Sequence, residues 1–342
     1  MGWTEGGGSP EMRMRALFAV SAPAKVNLLL RVGPKRPDGY HDVFSIVQQV
    51  SLFDRLHVGA RRRGIEFSCH GLAVPAGRDN LVVRAAERLR RAAKVSAGAT
   101  IRLVKRIPVG AGLGGGSSDA AAVSLALNRL WGLGWSRRRL AEAVAPLGSD
   151  IALFFSSPLA VVEGVGGVVR PLREPAGSGA PRRPYWLVVV YPNLISSTAD
   201  AYRALDRLRR RSRVPFRLSS LPSGFPPGFP PGFPLTHQER EIIISRFLRR
   251  TRTSLRPLLG NDFEPVIYEV FPAVRGAAKR LAQMGATGVL LSGSGSAVFG
   301  VFAAAKNARA AAEAIRTAQP AWGVWVARPL RRVPPVRPVR IV

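Results

Sequence analysis

The chain has 342 residues, of which 46% are hydrophobic, and a formal net charge of +30. This apolar fraction excludes a disordered chain, and the length suffices for one large domain or two of ordinary size. No run of about eighteen apolar residues occurs, so we expect no transmembrane helix. A single cysteine, Cys69, and four histidines exclude an internal disulfide and a Cys/His metal cluster.

The positive charge comes mainly from arginine, because only six of the 51 basic residues are lysines. The arginines are spread along the chain, and aromatic residues are not interleaved with them. A surface dedicated to nucleic acid usually clusters its charge and places aromatic residues among it. We therefore expect no specific nucleic-acid partner, although the charge should attract anionic small molecules such as nucleotides.

Changes in composition predict the domain organisation. The start of the chain lacks the apolar region of a secretory signal, which favours a cytoplasmic protein. Residues 173–184 are rich in proline and glycine, as is typical of a linker. The predicted segments are a flexible leader (1–13), an N-terminal domain (14–173), a C-terminal domain (184–325) with a Pro/Gly-rich insert (222–234), and a basic tail (326–342).

Strand patterns dominate the start of the first domain. The apolar stretch over 15–32, interrupted by Pro23, and the alternation over 43–68 predict strands. Residues 79–80 (Asp-Asn) precede a helical pattern and can cap it. Alternation over 100–107 predicts another strand before the glycine-rich segment.

The segment over 108–119 (PVGAGLGGGSSD) has the composition of a ligand-binding loop. Glycine allows positive φ angles and a close approach of the backbone to a ligand. Ser117 or Ser118 can cap the Ala-rich helix that follows, with Asp119 in its first turn. The free N–H groups at such a helix start favour phosphate binding.

Three interpretations of this loop remain open from the residues alone. It is a turn that only caps a helix, or a dinucleotide loop, or a phosphate loop of a kinase without a Walker motif. Gly110, Gly112 and Gly115 satisfy G-x-G-x-x-G, but the second strand with an acidic end that a dinucleotide fold needs does not follow. A Walker loop requires a Lys-Ser/Thr pair that is also absent.

Helical and strand patterns continue beyond the loop. Residues 136–148 predict a helix, and 159–172 predict strands. A buried strand over 185–192 opens the second half, helical patterns follow over 239–250 and 262–284, and 288–302 predicts two strands joined by a glycine turn. We expect the proline-containing tail to be irregular.

Three motifs resemble, in the same order, those of the family of galactokinase, homoserine kinase, mevalonate kinase and phosphomevalonate kinase. They are 22–28 (APAKVNL), the loop over 110–119, and 291–296 (LSGSGS). The resemblance implies a two-domain α/β (α+β) small-molecule kinase fold. Its N-terminal domain would be ribosomal-S5-like and would bind ATP, its C-terminal domain would be ferredoxin-like, and the active site would lie between them, with ATP and Mg²⁺ as cofactors.

One branch of that family is matched more closely over about residues 14–325. Its members phosphorylate the 2-hydroxyl of a cytidine-diphosphate-linked methylerythritol in the non-mevalonate isoprenoid route. Ala152 and Gly167 depart from its pattern. The matching segments are 36–41 (RPDGYH), 79–82 (DNLV), 147–151 (LGSDI), 163–166 (EGVG), 197–202 (STADAY) and 261–265 (NDFEP).

Catalytic roles follow partly from residue chemistry and partly from this resemblance. A carboxylate can accept the proton of a hydroxyl nucleophile, and Asp150 is our candidate base, with a helix-capping aspartate as the alternative. Lys25 in an apolar strand needs a partner unless it points to solvent. The resemblance places it beside Asp150. Asn27 shares a strand face with Lys25 and is expected to order the site.

The resemblance also implies binding residues. Tyr40 would stack on cytosine, His41 would bond to its edge, and Tyr202, with Thr198 nearby, would form the opposite wall. Ser118 is a candidate Mg²⁺ ligand from the expected helix start. The residues expected to cradle ATP are Pro108, Gly110, Gly112, Leu113, Gly114, Gly115, Gly116, Ser117 and Ser118.

Two other functions remain open at this point. A kinase of the same family acting on homoserine or a mevalonate-type substrate would share the loops, but Tyr40 and His41 would then have no base to bind. An arginine-rich nucleic-acid-binding protein that has kept a kinase fold would show a steep dependence of binding on salt.

Overall fold

The structure of the protein is a computed structural model, and it describes residues 17–75, 77–172, 185–211, 235–249, 255 and 258–339. The predicted leader, linker and Pro/Gly-rich insert lie outside these residues. None of the helices in the described ranges has both the length and the apolar character needed to cross a membrane.

Eight strands form the first sheet around a long antiparallel hairpin of β1 and β2. The first part of β2 pairs with β5, and its last part pairs with β4, so the sheet divides along this strand. The strands are β1 (Leu17–Lys35), β2 (His41–Arg61), β3 (Ile65–Gly71), β4 (Gly98–Lys105), β5 (Leu159–Gly164), β6 (Val168–Pro171), β8 (Gly260–Asn261) and β12 (Arg337–Val339).

The proline in β1 does not end the strand. β1 continues through Pro23, and its pairing with β2 shifts register between Pro23 and Ala24. Since proline has no N–H donor, such an irregularity lets the ladder continue on both sides of the ring.

Within the described part of the first half, four α-helices share one core with the first sheet. Asn80 caps α1 as predicted, because its side chain accepts a hydrogen bond from Val82 N at 2.9 Å. The alanine-rich α2 packs against α1 and β1. The helices are α1 (Leu81–Ala92), α2 (Gly115–Leu130), α3 (Arg137–Val144) and α4 (Ile151–Phe155).

The second sheet has four antiparallel strands in the order β11, β7, β10, β9. Numbered along the chain, these are the fourth, first, third and second strands, with helices between the first and second and between the third and fourth. This is the ferredoxin-like arrangement that the resemblance implied. The strands are β7 (Trp186–Tyr191), β9 (Gly288–Leu291), β10 (Val298–Phe302) and β11 (Gly323–Ala327).

In the ranges that the structure describes, five helices accompany the second sheet. The helical pattern over 262–284 divides into two helices at Phe271 and Pro272, since proline starts a helix more readily than it continues one. The helices are α5 (Thr198–Arg211), α6 (His237–Arg249), α7 (Glu264–Val270), α8 (Pro272–Gln283) and α9 (Ala305–Ala318).

An apolar core joins the two sheets. Leu29 and Phe44 of the first sheet lie in one cluster with Val189 and Phe299 of the second, and Phe247 of α6 packs among them. The sheets therefore meet through side chains that water does not reach, which fixes the walls of any cleft between them.

The tail is more regular than expected. Residues 337–339 pair with β1, and Leu330 N donates to Gln49 O at 2.9 Å. The expectation of an irregular tail is wrong for these residues, because the outer edge of β1 presents backbone groups that the tail satisfies. Pro338 is compatible with this position at the edge of the sheet.

Asp262 links the C-terminal half of the chain to β1 in the N-terminal half. Directly after β8, which runs parallel to β1, its carboxylate accepts hydrogen bonds from Arg31 Nη1 and from Val32 N, both at 2.9 Å. The Arg31 and Asp262 side chains are only 10% and 11% exposed, so water screens this ion pair poorly.

We predict that Asp262→Ala lowers the free energy of unfolding by about 3 kcal/mol, because it leaves a shielded cation and a backbone N–H without this partner. Urea denaturation measures the loss. Asp200→Ala is the matched control, since Asp200 pairs with Arg203 where both side chains are more than half exposed. Equal stability of the two variants would contradict the role of Asp262.

Candidate active site

The glycine-rich loop runs from β4 into α2 and reaches the helix earlier than predicted. Gly110, Gly112 and Gly114 have φ angles of 67°, 74° and 69°. Gly114 occupies the N-cap position without a side-chain bond, and α2 begins at Gly115. The prediction that Ser117 or Ser118 caps the helix is therefore wrong, because a left-handed glycine at the N-cap turns the chain into the helix at least three residues sooner.

A second glycine turn lies against this loop. It covers residues 292–296 between β9 and β10. Ser292 Oγ donates to Gly112 O at 3.0 Å, and Ala297 N donates to Ala111 O at 3.0 Å. A Cβ atom on Gly112 would lie 2.0 Å from Ser292 O, so only glycine fits at this contact.

The motif over 261–265 supports the second turn. Asn261 Nδ2 donates to Leu291 O at 2.9 Å and to Gly293 O at 2.8 Å. Glu264 Oε1 accepts hydrogen bonds from Leu291 N and Tyr268 Oη, both at 2.9 Å. Burial raises the pKa of Glu264 to about 7, although these two hydrogen bonds oppose the shift. The sequence indicated this motif only through the family match.

Lys25 lies between the two glycine turns. Its backbone N donates to Leu113 O at 2.9 Å, and its Nζ donates to Asn27 Oδ1 at 2.7 Å. Asn27 in turn donates to Ser45 Oγ at 2.8 Å. Burial lowers the pKa of Lys25, and the negative charge of Asp150 opposes that shift. Because Lys25 is buried, the alternative of a solvent-facing lysine does not apply.

Asp150 directly precedes α4 and lines the same cleft as Lys25. It occupies the N-cap position of α4, yet its side chain makes no capping hydrogen bond. It therefore does not act as the capping aspartate of the alternative interpretation. Its charge acts on Lys25, although no ion pair of 4 Å or less joins them in the described part of the chain.

The residues expected to bind a base form a group at one end of the cleft. The rings of His41 and Tyr202 are stacked, with centroids 4.8 Å apart and planes at 28°. Tyr40 is 66% exposed and lines the same cleft. Thr198 Oγ1 lies 3.0 Å from Ser294 Oγ, which joins this group to the second glycine turn.

A buried charged cluster lies beneath the loop, and its residues did not stand out in the sequence. Lys105 Nζ lies 2.8 Å from Asp119 Oδ2 and also forms an ion pair with Asp54. Burial raises the pKa of Asp119 to about 8, while the ammonium of Lys105 opposes the shift. A Cβ atom on Gly115 would lie 2.8 Å from Lys105 Nζ, so the cluster contacts the first residue of α2. The available sequence signal was Asp54, which directly follows the apolar pair Leu52 and Phe53 in β2.

All but one of the predicted site residues line a single cleft of about 1080 Å³. Ser118 does not line it, because it is only 1% exposed within α2. The described residues contain no group of three or more His, Cys, Asp or Glu that could hold a metal ion. The predicted residues that line the cleft are Lys25, Asn27, Tyr40, His41, Pro108, Gly110, Gly112, Leu113, Gly114, Gly115, Gly116, Ser117, Asp150, Thr198 and Tyr202.

Two family models match the chain. One is described as the GHMP kinases N terminal domain and matches residues 80–157. The other is described as GHMP kinases C terminal and matches residues 243–321. The first match includes the glycine-rich loop and Asp150, and the second includes the turn over 292–296.

Curated relatives are similar over most of their length. A 4-diphosphocytidyl-2-C-methyl-D-erythritol kinase of Geobacter metallireducens is 37% identical, covering 87% of this chain and 94% of the relative. One of Pelotomaculum thermopropionicum is 38% identical, covering 86% of this chain and 92% of the relative.

Solved structures agree with these relatives. A crystal structure of 4-(cytidine 5′-diphospho)-2C-methyl-D-erythritol kinase is 35% identical with a TM-score of 0.68, covering 91% of this chain and 98% of its own. A homoserine kinase from Cytophaga hutchinsonii has a TM-score of 0.67 at 18% identity, covering 98% of this chain and 100% of its own. The second likeness concerns the fold alone.

We predict that Gly112→Ala lowers the free energy of unfolding by at least about 2 kcal/mol and abolishes nucleotide binding, because the added methyl group meets Ser292 O in a backbone conformation that favours glycine. Chemical denaturation and nucleotide titration measure both effects. Gly167→Ala is the control, since a Cβ atom there has no neighbour within 4 Å. A stable Gly112→Ala variant that binds nucleotide would contradict the contact.

Glu264 should make stability depend on pH. Its pKa rises from 4.5 to about 7 on folding, so the native state favours the neutral carboxyl. The stability from this group is present below pH 4.5 and is lost as pH rises toward about 7. We predict that the free energy of unfolding of the wild type, relative to Glu264→Gln, falls between about pH 4.5 and pH 7.

Urea denaturation across that range measures this difference. Glu313→Gln serves as the control, because the Glu313 side chain is 73% exposed. A constant difference between wild type and Glu264→Gln would show that folding does not shift the pKa of Glu264.

Proposed function

The chain belongs to the GHMP kinases and, within them, to the 4-diphosphocytidyl-2-C-methyl-D-erythritol kinase family, and we propose that it transfers the γ-phosphoryl group of ATP to the 2-hydroxyl of 4-diphosphocytidyl-2-C-methyl-D-erythritol. It is an ATP-dependent small-molecule kinase. The proposed reaction belongs to the non-mevalonate route to isoprenoid precursors, and we propose a cytoplasmic location for it.

One observation carries this proposal. A single cleft brings together a glycine-rich loop, a lysine and a carboxylate of the type that phosphoryl transfer to a hydroxyl requires, and an aromatic group that can hold a base. A homoserine or mevalonate kinase would use the first two groups but not the third. The third group therefore favours the cytidylated acceptor.

The loop would bind the phosphates of ATP. The start of α2 presents backbone N–H groups without helical partners, and the glycines before it let an anion approach them. Contact with the turn over 292–296 prevents the loop from collapsing, because Ser292 donates to Gly112 O. The phosphates would thus meet a preorganised surface, which is the main protein contribution to this type of reaction.

Asp150 would accept the proton of the 2-hydroxyl as its oxygen attacks the γ-phosphorus. The new O–P bond forms while the bond between the γ-phosphorus and the bridging oxygen breaks, and ADP leaves with that electron pair. Lys25 would stabilise the developing negative charge and help to keep Asp150 ionised. Asn27 would orient Lys25, since it accepts a hydrogen bond from Lys25 Nζ.

Mg²⁺ forms part of the proposal and would supply charge neutralisation at the β- and γ-phosphates. This ion commonly uses one or two protein oxygens together with substrate phosphates. Ser118 Oγ and Asp119 Oδ1 are both buried and have no hydrogen-bond partner among the described residues. Of the two residues only Asp119 lines the cleft, so we propose Asp119 in place of Ser118 as the residue that would hold the ion.

The cytidine would lie at the other end of the cleft. Tyr40, exposed at the rim, would cover one face of the base, and Tyr202 with His41 would form the facing wall. Stacking on an aromatic side chain contributes about 1–3 kcal/mol per base. The expectation that the chain has no specific nucleic-acid partner stays a prediction.

The test is ATP turnover by the purified protein with Mg²⁺, comparing the cytidylated substrate with homoserine and mevalonate. We predict turnover of the cytidylated substrate alone, and a kcat lower by about 100-fold or more in Asp150→Asn, because the variant lacks the proton acceptor. Glu66→Gln removes an exposed surface carboxylate and should leave kcat unchanged.

Different results would refute different parts. Phosphorylation of homoserine or mevalonate instead would contradict the assigned acceptor. Turnover by Asp150→Asn at the wild-type rate would contradict the assigned base. A lack of turnover with every acceptor would contradict the proposed reaction.

A further inference from the structure

Asp206 is an acidic residue beside His41, among the residues expected to bind the base. It lies outside the motifs identified in the sequence. Asp206 lies on α5, one turn beyond Tyr202, and lines the cleft. Its Oδ2 is 3.4 Å from His41 Nε2, and the two side chains are 15% and 5% exposed. A carboxylate so shielded needs a hydrogen-bond donor.

The surroundings fix the orientation of the histidine ring. His41 Nδ1 lies 2.9 Å from Gly33 O, and because a carbonyl oxygen only accepts, Nδ1 carries a proton. Tyr202 packs on one face of the ring. His41 Nε2 is therefore the atom turned toward Asp206, and a rotation of the ring would break both contacts.

Two arginines of α5 near this pair have other partners. Arg209 donates to Gly33 O and Val32 O at 2.8 and 2.7 Å and forms an ion pair with Asp262 at 3.5 Å. Arg203 forms an ion pair with Asp200 on the same helix. The carboxylate of Asp206 and the ring nitrogen of His41 thus form a polar pair at the margin of the cleft.

We propose that Asp206 is a specificity-determining residue that selects cytosine over uracil, an inference that rests on the proposed function. Cytosine carries an amino group at position 4, which only donates, whereas uracil carries a carbonyl oxygen there, which only accepts. An ionised carboxylate accepts only. Asp206 would accept a hydrogen bond from the cytosine amino group and repel the uracil oxygen.

Asp206 would select cytosine both by bonding to its amino group and by disfavouring the uracil oxygen. A site built to bond a donor rejects an analogue that lacks it, because the shielded acceptor then loses the hydrogen bond that the donor supplied. Placing an acceptor against an acceptor adds repulsion. Stacking on Tyr40 and Tyr202 would not distinguish the two bases, since both have a similar aromatic face.

The experiment compares kcat/KM for the cytidine-diphosphate and uridine-diphosphate forms of the methylerythritol substrate. We expect the wild type to prefer cytidine, and Asp206→Asn to reduce the preference by at least about fivefold, the lower limit for one discriminating hydrogen bond. The asparagine amide can donate to the uracil oxygen. Asp42→Asn is the matched control, because its exposed carboxylate follows His41 directly but pairs with Arg36.

A purely structural role for Asp206 would lower kcat/KM equally for both bases, and an unchanged preference in Asp206→Asn overturns the proposal. If that variant does not fold, the wild type alone is tested with cytidine diphosphate, its N4,N4-dimethyl analogue and uridine diphosphate as competing ligands. Weaker inhibition by the last two supports the proposal, and equal inhibition by all three overturns it. Failure of the wild type to phosphorylate the cytidylated substrate would instead refute the proposed function.

Discussion

The contact between two glycine turns is the constraint on which the rest of the site depends. Gly112 approaches Ser292 O so closely that a methyl group would lie 2.0 Å from it. One turn belongs to the first sheet and the other to the second, so this contact fixes the separation of the two sheets at the cleft. Lys25 lies between the turns, and its position follows from theirs.

Buried polar groups beneath each glycine turn stabilise it. Asn261 and Glu264 bond to the backbone beneath the second turn, and Lys105 lies with two carboxylates beneath the first. Each of these groups is costly to bury unless it is bonded, so the local structure is satisfied in one arrangement only. The glycine turns have little side-chain packing of their own, and these polar supports replace it.

Much of this architecture can be predicted from local patterns and from the resemblance. The strand and helix patterns indicated the elements, Asn80 capped the helix that it precedes, and the ordered motifs implied the ferredoxin-like second sheet. The helix start was mispredicted because the choice between Gly114 and Ser117 depends on how the loop meets the second turn. That contact joins residues about 180 positions apart, which no local pattern shows.

The residues that the sequence did not reveal share a physical cause. Asp54, Lys105 and Asp119 come from two strands and a helix, and each alone resembles a surface charge. Asp206 likewise lies in a helix with many charges, and only the fold brings it to His41. The sequence shows which face of a helix carries charge. It does not show which residue of another element that face meets, because this depends on the tertiary structure.

The pairing of β1 with β8 has a consequence for biosynthesis. Arg31 and Asp262 are separated by 231 residues, so β1 leaves the ribosome long before its partner does. During that interval the first glycine loop has been translated, while the turn that supports it has not. Contacts between such distant segments form late and slowly, and the nascent chain exposes an unpaired strand edge meanwhile. Protection of that edge by chaperones during translation would therefore matter more for this enzyme than for a protein whose first strand pairs only with its neighbours.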